Sequence, residues 1–300
     1  AGVLALLVGG KVPPEALDLV LAGRLLGTSK KDGGTRVLAC GSAPRRLVAS
    51  AVCKVRKEQI KEAAGEHQYG VGRSRGLETL HKAVSARAEQ DADMAFVSLD
   101  LKSAFTRIHR DSVLERVREA CPALEGLVTQ WYARDTTHVA DGAGAAPTLL
   151  TQVEGLDQGC PLSPALFAVT LAPALDELQR CLCAIDSRCK VWAYLDDVYL
   201  TVPKHGLHRA LGGAARAFRR FGLELNWTKT RIWCPDGVKE GIPPECEAQV
   251  VDALPCLGSK ISFVRAAADE EWRDVQAGVA DPRGVDEAIE QLRRYGDCTD

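Results

Sequence analysis

Residues Val191 to Val202 read VWAYLDDVYLTV, and the reading of the fold turns on the pair at the centre. Val, Trp, Tyr and Leu on both sides predict two short strands. Asp196 and Asp197 then sit at the bend, where charge stays hydrated while the flanks are buried. Neighbouring carboxylates repel, so a turn that holds both invites a divalent cation, most naturally Mg²⁺. The competing reading is an ordinary hairpin turn, for which Asp is a common residue. The neighbouring segments decide between the two.

Upstream, Met94 to His109 reads MAFVSLDLKSAFTRIH. Phe96, Val97, Leu99 and Leu101 mark a buried strand that Asp100 interrupts. A carboxylate there is costly unless a metal or an ion pair, such as one with Lys102, compensates it. Ser112 to Glu115 fits a capping box, with Val113, Leu114 and Val117 following at helical spacing. Thr137 to Gln152 reads as a hairpin around a Gly/Ala tip. Gly155 to Phe167, GLDQGCPLSPALF, then predicts a loop entering an apolar helix, with Ser163 as N-cap and Pro164 at the first helical position. Gly159 frees the backbone there, and Gln158 can project into a cleft.

Towards the N-terminus, KKDGG at 30–34 reads as a hairpin tip carrying Lys30, Lys31 and Arg36, with a helical pattern after Pro44. HQYGVGRSRG, from His67, reads as a flexible basic loop before a helix near Leu77. It lacks dinucleotide-binding spacing, although two arginines at a helix start could hold a phosphate. Beyond the paired aspartates, His208 to Phe221 reads as an Ala- and Arg-rich helix closed by Gly222. A turn presenting Lys229 follows, then a strand pair over Pro255 to Phe263.

Composition sets the outer bounds. Three hundred residues, 46% hydrophobic and 26% charged, supply a sizeable core in one large domain or two lobes. The net charge of −2 hides an asymmetry: residues 1–110 hold 18 Lys/Arg against 11 Asp/Glu, and the rest 20 against 29. A basic front and an acidic back suit a protein that grips polyanions with one part and metals with another. Eleven cysteines without a CxxC pair predict reduced thiols in an intracellular protein. No apolar run is long enough for a membrane span. The start, AGVLALLVGG, has no initiating Met and reads as the interior of a longer chain.

Asp100 after a strand, QGCPLSP before a helix and YLDD in a hairpin, in that order, resemble the reverse transcriptase family, most nearly that of non-LTR retrotransposons. KKDGGTR…APRRLVA, QYGVG, DLKSAF, LELNWTKT and CLGSKIS complete the succession, so the resemblance covers Leu25 to Phe263. YLDD alone is weakly specific; seven motifs in order are highly specific.

The resemblance implies an α+β fold: right-hand polymerase fingers and palm, the palm ferredoxin-like with an antiparallel sheet and packed helices. Residues 1–90 would be truncated fingers and 91–235 a palm partly interleaved with them. Residues 236–300 would hold the end of the palm with the primer-grip region and a partial thumb or tail. It implies RNA-directed DNA synthesis by two-metal transfer of a dNTP to a primer 3′-OH. Two Mg²⁺ ions, replaceable by Mn²⁺, would lie on Asp100, Asp196, Asp197 and the Leu101 carbonyl. Lys229 would protonate the leaving pyrophosphate. Lys31 and Arg36 would hold the triphosphate, and Phe105 would exclude a 2′-OH. Gln158 and Gly159 would line the nucleotide pocket, and Leu257 and Gly258 would support the primer end. The partners implied are an RNA template, a DNA primer or nicked target DNA, and dNTPs, with missing domains in a longer parent polyprotein. Two departures stand out: Val37-Leu38 where relatives carry Pro-Ile, and Cys160 where an acidic residue is common. The alternatives are a catalytically inactive nucleic-acid-binding fragment derived from a retroelement, and an RNA-synthesising polymerase, which Phe105 opposes.

Overall fold

The structure is a computed structural model that describes residues 2–9, 11–29, 35–140 and 146–263. In chain order it runs α1 (Gly2–Val8), α2 (Pro14–Leu21), β1 (Gly23–Ser29), β2 (Thr35–Gly41), α3 (Ala43–Val55), α4 (Lys57–Ala63) and α5 (Gly76–Gln90). It continues through β3 (Met94–Leu99), α6 (Ala104–Arg107), α7 (Arg110–Ala120), α8 (Glu125–Tyr132), β4 (Thr136–Ala140), β5 (Thr148–Gln152) and α9 (Ser163–Cys183). The remainder is β6 (Lys190–Tyr194), β7 (Asp197–Pro203), α10 (Leu207–Arg219), β8 (Arg231–Trp233), β9 (Val250–Val251), β10 (Leu254–Cys256) and β11 (Ser259–Ile261).

The larger sheet has the order β6-β7-β3-β8-β9. Its central strand, β3, is apolar along nearly its whole length and buried on both faces, as a strand covered on each side must be. It pairs antiparallel with β7 from Met94↔Pro203 to Leu99↔Val198, and with β8 at Phe96↔Trp233. Taken as β3, helices, β6, β7, α10, β8, the connectivity is βαββαβ, the ferredoxin-like arrangement. The register puts the end of β3 beside the start of β7, so Asp100 and Asp197 meet at one edge.

α9 forms because SPALFAVTLAPALDELQRCLC carries apolar residues on almost every face. Thirteen of its residues are buried, which makes it an interior helix rather than an amphipathic surface one. It packs on α4, α7, α10 and β6. The smaller sheet, β2-β1-β4-β5, unites two distant stretches of chain, β1 running parallel to β4 at Gly23↔His138. β10 and β11 form a separate hairpin against β3 and β8.

Several local expectations are corrected. No capping box forms at Ser112: α7 begins two residues earlier, at Arg110, because the segment docks through the Arg110 side chain. Ser163 is the first residue of α9 rather than its N-cap; its hydroxyl lies 3.4 Å from the Tyr132 hydroxyl inside the core. Asp197 opens β7, leaving Leu195 and Asp196 as the two turn residues between Tyr194 and Asp197. Residues 30–34, with Lys30 and Lys31, and 141–145, both expected as hairpin tips, lie outside the described residues, as does everything from 264 onwards.

Candidate polymerase site

Asp100 follows the last residue of β3, and its backbone is fixed from the far side. The Asp100 carbonyl accepts from the Asn226 N–H at 2.8 Å, Leu101 bridges Leu225, and the Lys102 N–H donates to the Glu224 carbonyl at 2.9 Å. The segment that carries Lys229 is therefore bonded to the segment that carries Asp100. Lys102 itself turns outward, reaching Glu224 at 3.4 Å, so the ion pair considered for Asp100 is not made by its neighbour.

The loop around Gln158 is held from two sides. Phe105 and Ile108 accept, through their carbonyls, from the N–H groups of Leu156 at 2.7 Å and Gly155 at 3.1 Å. Gly155 has φ +74, and a Cβ there would run into the Thr106 backbone. On the other side the Gln158 carbonyl accepts from the Ala39 N–H of β2 at 2.7 Å. Gly159 has φ +113, and a Cβ would stand 3.0 Å from the Ala39 carbonyl oxygen, so glycine is required by conformation and by space.

Together these elements enclose a cavity of about 940 Å³ lined by Arg36, Asp100, Leu101, Gln158, Asp196 and Lys229. A second cavity, of about 650 Å³, lies on the other side of Asp100 and holds Asp197, Tyr199, Lys229, Leu257 and Gly258. Asp100 and Lys229 belong to both. Phe105 does not line either cavity: its ring stacks on Phe167 with centroids 4.6 Å apart. Leu257 takes φ +50 at the hairpin tip and donates its N–H to the Tyr199 hydroxyl at 3.1 Å, tying that tip to the strand of Asp197.

Electrostatics single out the same carboxylates. Burial pushes the Asp196 carboxyl above its usual range, the charge of Asp100 adds to this, and Arg36 opposes it. Asp197 keeps a solvent-facing side, yet loss of hydration in the cleft, with Asp196 and then Asp100 nearby, raises it to about 6. Among the described residues no three His, Cys, Asp or Glu side chains already converge as a metal-ligating group. The fit to a cation is one of chemistry: hard oxygen donors whose mutual repulsion a divalent charge would relieve.

Sequence reasoning missed a buried network beneath the Gln158 loop. Arg45 and Asp157, 1% and 2% exposed, pair at 2.6 Å. His138 stands 3.3 Å from Asp157, and its Nδ1 accepts from the Gly23 N–H at 3.0 Å, which leaves the proton on Nε2. Burial alone would push the Asp157 carboxyl up; His138, Arg45 and Arg110 around it hold it below the usual carboxylate range. The available signal was Asp157 itself, a charge next to Gln158 between apolar stretches.

A ferredoxin-like palm with aspartates at adjoining strand ends, roofed by a second sheet, is the fingers-and-palm architecture of a polymerase. The sequence pattern described as "Reverse transcriptase (RNA-dependent DNA polymerase)" matches residues 28–264. The chain belongs to the reverse transcriptase family. It is 28% identical over 222 residues to the "Retrovirus-related Pol polyprotein from type-1 retrotransposable element R2" of Popillia japonica, covering 65% of this chain and 29% of that protein. That likeness supports a reverse transcriptase domain of the non-LTR kind; the chain spans less than a third of the relative's length. Among solved structures, telomerase from Candida albicans, in complex with a TWJ fragment of telomeric RNA, matches with TM-score 0.60 at 10% identity, over 84% of this chain and 45% of that one. Apo telomerase from Candida tropicalis matches with TM-score 0.60 at 12% identity, over 84% and 48%. At such identities the likeness is one of fold.

Proposed function

We propose that this chain is the catalytic part of an RNA-directed DNA polymerase of a retroelement, adding dNTPs to a DNA primer, or to nicked target DNA, on an RNA template. One observation carries the reading: Asp100 and Asp196 share a cavity with Arg36, Gln158 and Lys229, while Asp197 faces a second cavity with Leu257 and Gly258. The first has the groups a nucleoside triphosphate needs, and the second borders the end a growing primer would occupy. Residues 1–90 then serve as fingers, 91–235 as palm interleaved with them, and 236–300 as primer-grip region with a partial thumb or tail.

In this reading Asp100, Asp196, Asp197 and the Leu101 carbonyl hold two Mg²⁺ ions, or Mn²⁺ in their place. When bound, those ions supply Lewis-acid stabilisation of the attacking and leaving oxygens. Arg36, together with Lys31, neutralises the triphosphate and fixes its orientation. Gln158 and Gly159 border the incoming nucleotide. Lys229 delivers a proton to the departing pyrophosphate oxygen. Phe105, whose neighbours Ala104 and Thr106 line the cavity, is the residue assigned to exclude a 2′-OH and so to favour dNTPs. Leu257 and Gly258 steady the primer terminus. The ten cysteines among the described residues are free thiols, which supports a reducing, intracellular setting. Among those residues no helix is long and apolar enough to cross a membrane.

The test is incorporation of labelled dTTP on poly(rA)·oligo(dT) with Mg²⁺, comparing wild type with Asp196→Asn. Activity in the wild type that disappears in the variant supports the reading. A wild type that binds primer–template without incorporating any dNTP, in Mg²⁺ or Mn²⁺, refutes it.

A further inference from the structure

The chemistry above leaves one buried amide without a task. Gln68 lies in HQYG, upstream of α5, and is 1% exposed. Its Oε1 accepts from the Leu195 N–H at 2.7 Å and from the Gly70 N–H at 2.9 Å. Its Nε2 is buried without a hydrogen-bond partner. Burying a carboxamide with half its bonding capacity unmet is costly, so what the oxygen holds is informative.

It holds the residue immediately before Asp196. Leu195 has φ +57, in the left-handed region that a leucine enters only under constraint. Such a conformation is strained and persists where the surroundings over-determine it. The surroundings here are the HQYG segment. The Tyr69 N–H donates to the Ala193 carbonyl at 2.7 Å, and the Ala193 N–H donates to the His67 carbonyl at 2.8 Å. These bonds cap β6, an edge strand of the palm sheet, and set Gln68 opposite the turn. Gly70 completes the contact: a Cβ there would lie 2.8 Å from Leu195 Cγ and 2.9 Å from Leu195 N. Its φ lies outside the left-handed region, so the need for glycine is one of space alone.

We infer that Gln68 and Gly70 form a clasp on the Leu195 backbone that fixes the Asp196 carboxylate for cation binding, which makes Gln68 a positioning residue for nucleotide transfer. The inference rests on the polymerase reading for its consequence and on the Leu195 bond for its geometry. It also gives a structural task to a segment whose sequence reads as a flexible basic loop. Arg73 has a local role there: it stacks on Tyr69 at 4.4 Å and donates to the Glu66 carbonyl at 2.7 Å.

The test uses the 300-residue chain with Gln68→Met, which keeps length but removes the acceptor, and Gln68→Glu, which keeps an acceptor oxygen. Two quantities are read: Mn²⁺ affinity of the protein alone, by electron paramagnetic resonance, and kcat and KM for dTTP on poly(rA)·oligo(dT). Displacing a group that orients a metal ligand typically costs 10–100-fold. Gln68→Met is expected to lose about that much Mn²⁺ affinity and kcat while KM for dTTP stays within about twofold; Gln68→Glu is expected to restore most of both. Wild-type Mn²⁺ affinity in Gln68→Met, or equal defects in the Met and Glu variants, overturns the clasp, as does a wild type with no Mn²⁺ affinity. Weakened Mn²⁺ binding in Gln68→Met, with no dTTP incorporation even by the wild type, upholds the clasp and overturns the polymerase reading. If Gln68→Met fails to fold, Gly70→Ala displaces Leu195 with Gln68 intact, and unchanged Mn²⁺ affinity there overturns the clasp.

Discussion

Replacing Asp157 with Asn should damage the protein from beneath its candidate nucleotide pocket. Asp157 is 2% exposed and pairs with an equally buried Arg45 at 2.6 Å. Asn is nearly isosteric, so the change removes charge and leaves the guanidinium buried without its counter-ion. Breaking a buried pair from one side costs about 3–5 kcal/mol. Arg45 keeps its bond to the Leu21 carbonyl at 3.0 Å and its stacking on Trp131 at 5.0 Å, which places the expected loss near the lower end, about 3 kcal/mol. Against a total stability of about 5–15 kcal/mol this is large. Urea unfolding followed by tryptophan fluorescence measures it directly, since Trp131 abuts the pair. Replacing both members, Arg45→Met with Asp157→Leu, should recover much of the loss, because no charge is then left unmatched. The acid limb gives a second check. Burial alone would raise the Asp157 carboxyl, but His138 and Arg45 hold its folded pKa below the ordinary value of 3.8. The stabilisation is therefore present above that value and is lost as pH falls through the depressed one. Wild type and Asp157→Asn should converge at the acid end. A loss below about 1 kcal/mol at neutral pH, within the range of an exposed pair, would refute the reasoning.

Two further outcomes follow from the same geometry. Asp197 has its pKa raised to about 6 by lost hydration and by Asp196 and Asp100, so in chelator the protein gains stability when it is protonated and loses that gain as pH rises from about 4 to 6. Asp197→Asn should flatten this slope in melting curves, and Mn²⁺ should stabilise the wild type more than the variant; identical pH profiles would contradict the carboxylate cluster. Gly155→Ala places a Cβ at φ +74 against the Thr106 backbone, at an expected cost of about 1–3 kcal/mol or more. A melting temperature within a degree of wild type would show that the loop does not depend on this approach.

Much of this protein is readable in its sequence because the physics there is local. Continuous apolar runs on both sides of Asp196 and Asp197 specify a hairpin, the apolar run before Asp100 specifies a buried strand, and LSPALFAV specifies a helix buried all round. The order of these segments identified the family and, through it, the palm. What the sequence left open is what distant segments do to one another. Ser112 and Ser163 had the local signature of caps, yet docking through Arg110 and the contact with Tyr132 overrode it. Phe105 reads as a cavity residue by position, but Phe167 takes its ring. HQYGVG looks flexible from its glycines; only the tertiary structure shows that Gly70 is there so that the backbone can close on Leu195. Nor does the sequence reveal that Arg45 and Asp157, 112 positions apart, neutralise each other in the core. Local periodicity sets which residues form strands and helices. Buried polar partners are chosen by burial itself, since a charge or amide removed from water must find its complement wherever the fold brings one within reach.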